Sequence, residues 1–75
     1  MSGYKMSVTR KDLIEASKKQ FESIVEKHRI NIEIYLENSV GIGEHPDIMG
    51  AIESELAQMA EYNDKLEMLN KYFGD

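Results

Sequence analysis

The chain has no cysteine and no tryptophan, and it is short of basic charge and of long apolar runs. Without cysteine there is no disulfide to supplement a thin core, which excludes the stapled secreted miniproteins that many chains of 75 residues form. Nine Lys and Arg stand against fourteen Asp and Glu, a net charge of −5. That balance argues against direct nucleic-acid binding, which is built from clustered cations on phosphate. With 31% of residues charged, the chain is too polar for a membrane span, which takes roughly 20 consecutive apolar residues. The opening Met-Ser-Gly-Tyr-Lys-Met-Ser lacks an apolar signal core, and Ser2 stands where myristoylation needs glycine. A cytoplasmic location is therefore expected. The 41% of hydrophobic residues suffices for one folded domain.

Residues 1–8 mix small and polar side chains without period and are expected to form a flexible arm. Thr9 and Asp12 then have the spacing of a capping box, in which a hydroxyl accepts an orphan amide of the first turn and an acid sits at the positive end of the helix dipole. Beyond them Ile14, Phe21, Ile24, Val25, Ile32, Tyr35 and Leu36 are spaced so that only a 3.6-residue period gathers them on one face. This predicts a first helix over about 10–38.

The segment 39–45, Ser-Val-Gly-Ile-Gly-Glu-His, breaks that period with two glycines suited to a helix exit. Val40 and Ile42 are apolar where a free loop would be polar, so they are expected to fold back and close the end of a helix pair. Pro46 followed by Asp47 suits a helix start. Positions 48, 52, 55, 59, 62, 66, 69 and 73 alternate steps of four and three and read Ile, Ile, Glu, Met, Tyr, Leu, Leu and Phe. This predicts a second helix over about 46–73, with Gly74 ending it.

Two helices of this length, each ~42 Å long, must lie antiparallel when joined by so short a turn. Both apolar stripes are wider than a two-position seam, since Leu13 and Val25 broaden the first and Met49, Leu56 and Met68 the second. One hairpin cannot cover both. The expectation is an all-α fold in which the hairpin of residues 9–75 dimerises into a four-helix bundle, an architecture similar to that of small plasmid copy-control hairpins. The residues expected to supply the interface are Ile14, Phe21, Val25 and Ile32 from the first helix, with Ile52, Leu56, Met59, Leu66, Leu69 and Phe73 from the second.

Charge adds an orientation. Between Ile30 and Asp64 there is no Lys or Arg but eight acids, so the turn end is negative and the open end carries all nine cations. Side-by-side copies with turns together would oppose like charge, whereas a head-to-tail pair brings Lys11, Lys18 and Lys19 towards the acidic half. Screening over ~8 Å lets charge choose the geometry while apolar burial supplies the affinity.

Two polar residues interrupt the stripes, His28 and Glu55. A turn centred near Ile42 pairs positions whose numbers add to about 84, which sets one against the other. They are expected to form a buried polar pair that fixes register, in preference to a metal or proton-handling site, which would need a third group and a cavity. Glu44, His45 and Asp47 cluster at the turn and are the candidate metal ligands, but they lack the long loop or the Glu-x-x-His pairs that usually organise such ligands. Capping or turn shaping is the plainer role, and no metal or other cofactor is expected. No serine stands in a sensible relation to a histidine, so the chain is not expected to be an enzyme.

The stretch Tyr35-Leu-Glu-Asn-Ser-Val-Gly-Ile-Gly-Glu-His-Pro-Asp-Ile48, followed by Ile52, Glu55, Leu56, Ala60, Tyr62, Asp64, Lys65, Leu66, Glu67, Leu69, Lys71, Tyr72 and Phe73, resembles short proteins encoded by large tailed phages of marine bacteria. The resemblance implies a small protein made in the host cytoplasm during infection and brings no activity, cofactor or binding residue. The functional expectation is a non-catalytic homodimer acting on a protein partner. Its rivals are a metal- or ligand-binding bundle and an acidic decoy for a nucleic-acid-binding protein.

Overall fold

A computed structural model describes residues 7–38 and 47–74. Two helices account for nearly all of them, α1 at Arg10–Asn38 and α2 at Ile48–Phe73. The helix α1 begins on a reciprocal cap. The Asp12 N–H donates to Thr9 Oγ1 at 3.1 Å, and the Thr9 N–H donates to Asp12 Oδ2 at 3.2 Å. Two donors that the helix cannot satisfy internally are thereby satisfied locally, with aspartate in the place usually held by Glu or Gln.

The helix α2 begins two residues after the expected start. Asp47 is its N-cap residue, with φ at −103° and no side-chain capping bond. Its carboxylate lies over Gly50, in the space that a Cβ at that position would enter. Gly74 follows the last turn in an extended conformation, φ −93° and ψ 117°, and not in the left-handed one that helix-ending glycines often adopt. Its N–H still reaches the Asn70 carbonyl at 3.3 Å. The turn at 39–45 with Val40 and Ile42, residues 1–6 of the arm, and Pro46 lie outside the described residues.

Contacts across the pair fix its direction and register. Arg10 Nη2 donates to the Phe73 carbonyl at 3.2 Å, the Phe21 and Tyr62 rings lie 5.9 Å apart between centroids, and His28 meets Glu55. In each pair the two numbers add to 83, so the helices run antiparallel within one residue of the expected register. The Arg10 contact also places a cation on the carbonyl end of α2, where the helix dipole favours it.

The chain is only 14 Å deep in its thinnest direction, one layer of helix. A single layer cannot enclose a side chain, and among the described residues none is buried. Ile14, Phe21, Ile24, Val25, Ile32 and Tyr35 of α1 are half-buried against Ile48, Ile52, Met59, Tyr62, Leu66 and Leu69 of α2. The expected stripes depart from this pattern at Leu36, Leu56 and Phe73, which are exposed. Phe73 is exposed in the last turn of α2, and Leu56 projects sideways from the seam.

Candidate functional site

Both polar interruptions of the stripes meet at one point of the seam. His28 Nδ1 lies 2.5 Å from Glu55 Oε1, a distance at which an Nδ1–H donates to the carboxylate. Asn31 Nδ2 donates to the same oxygen at 3.1 Å. Asn31 sits three residues after His28, hence on the same helix face. That spacing is the one sequence signal for Asn31 as a third member of the cluster. The side chains of His28 and Glu55 keep 13% and 19% of their surface, so the pair is partly covered and not sealed as a bundle interior would make it.

The electrostatics follow from these contacts. The His28 hydrogen bond, then that of Asn31, holds the Glu55 carboxyl below its ordinary value of 4.5, and the partial loss of water opposes them. Because the hairpin is one layer thick, water reaches the carboxylate from the open flank. The cluster therefore sets register and gives one acceptor two donors; it presents no nucleophile and no enclosed space for a substrate.

Of the candidate metal ligands, Glu44 and His45 lie outside the described residues, and Asp47 is an exposed cap residue. Among the described residues no group of three His, Cys, Asp or Glu side chains is placed to share an ion. No helix among them is long and apolar enough to cross a membrane.

The second feature is apolar. Met49, Leu36 and Leu56 are 80%, 57% and 51% exposed, values far above those of side chains that finish in a core. Met49, Ile52 and Leu56 line a shallow depression with Asp47, Gly50 and Glu53. At the open end, Arg10, Lys11, Ile14, Lys18 and Phe73 line another. Arg29 stands at the margin of the apolar strip on α1 but is held away from it. Its guanidinium bonds Glu26 at 2.6 and 3.0 Å and approaches Glu33 at 3.6 Å, both on the outer side of α1. No family profile, curated protein or solved structure matches the chain.

Proposed function

We propose that the protein is a non-catalytic helical hairpin that self-associates into a four-helix bundle and acts by binding a protein partner. The observation that carries this reading is the absence of any buried residue among those described, in a chain whose helices are nevertheless long, capped and in register. Helices of this kind owe most of their stability to packing of an apolar face, and here each face is covered on one side only. A second hairpin laid on the first completes the covering with no new sequence element.

A role in the cytoplasm of an infected host, which the resemblance to phage proteins implies, belongs to the same proposal. Light scattering on the purified protein across micromolar concentrations tests the assembly. A mass near 17 kDa, twice the 8.6 kDa of the chain, is expected. A folded 8.6 kDa species at every concentration would overturn it.

A further inference from the structure

We draw no further inference here: the strongest candidate, the cation-rimmed hollow at the open end of the hairpin, lined by Arg10, Lys11, Lys18 and Phe73, carries nothing because nothing in the structure shows what covers it.

Discussion

Truncating Leu56 to alanine separates what this side chain does within one hairpin from what it does between two. Leu56 is 51% exposed, so about half of its apolar surface is left for a partner to cover. Full burial of a leucine side chain is worth ~2 kcal/mol, which leaves ~1 kcal/mol per chain to be gained on association. The residue occurs twice in a symmetric dimer, so the substitution should cost ~2 kcal/mol of association free energy. That is roughly a thirtyfold rise in the dimer dissociation constant. Leu13→Ala provides the control, because Leu13 is 61% exposed but is not among the residues expected to supply the interface, so its loss should leave the constant within a factor of about two. Sedimentation equilibrium over a dilution series reads both. Equal weakening by the two substitutions, or none by Leu56→Ala, would refute the placing of Leu56 in the interface.

Four further outcomes follow from the geometry. Because Glu55 titrates below its ordinary value in the folded chain, its contribution to stability is full above pH 4.5 and is lost as pH falls through the lower folded value; urea midpoints should drop more steeply below pH 4.5 for the wild type than for Glu55→Gln. His28→Leu should be neutral or stabilising in thermal melts, since Glu55 keeps Asn31 and access to water; a large fall in melting temperature would mean the carboxylate is enclosed. Gly50→Ala should stabilise by about 0.5–1 kcal/mol in urea titration, because only the exposed Asp47 carboxylate must swing aside; a loss would show that this carboxylate is held in place. Thr9→Ala should cost about 1 kcal/mol in the same assay and fray the first turn of α1 in amide exchange, since the Asp12 N–H would lose its acceptor.

Much of the hairpin is legible in the order of residues because its determinants are local. The start of α1 needs only Thr9 and Asp12, three residues apart, and the stripes need only a period. The contact of His28 with Glu55 also came within reach, since a short turn between two regular helices leaves one free parameter, the register. Asn31 did not, because an amide on a helical face carries no period and its partner is on the other helix. The late start of α2 differs for a related reason. Proline favours a helix start by its own geometry, but where the first intrahelical bonds form depends on how the chain leaves the turn.

Amino-acid order alone determined the two helices, the Thr9–Asp12 cap of α1 and the excess of apolar residues, because each is set by interactions within a few positions along the chain. The tertiary arrangement decided that no described side chain is enclosed and that Asn31 shares the Glu55 carboxylate. These depend on the rotation of each helix about its own axis, which is fixed only when the two pack and which no linear pattern specifies.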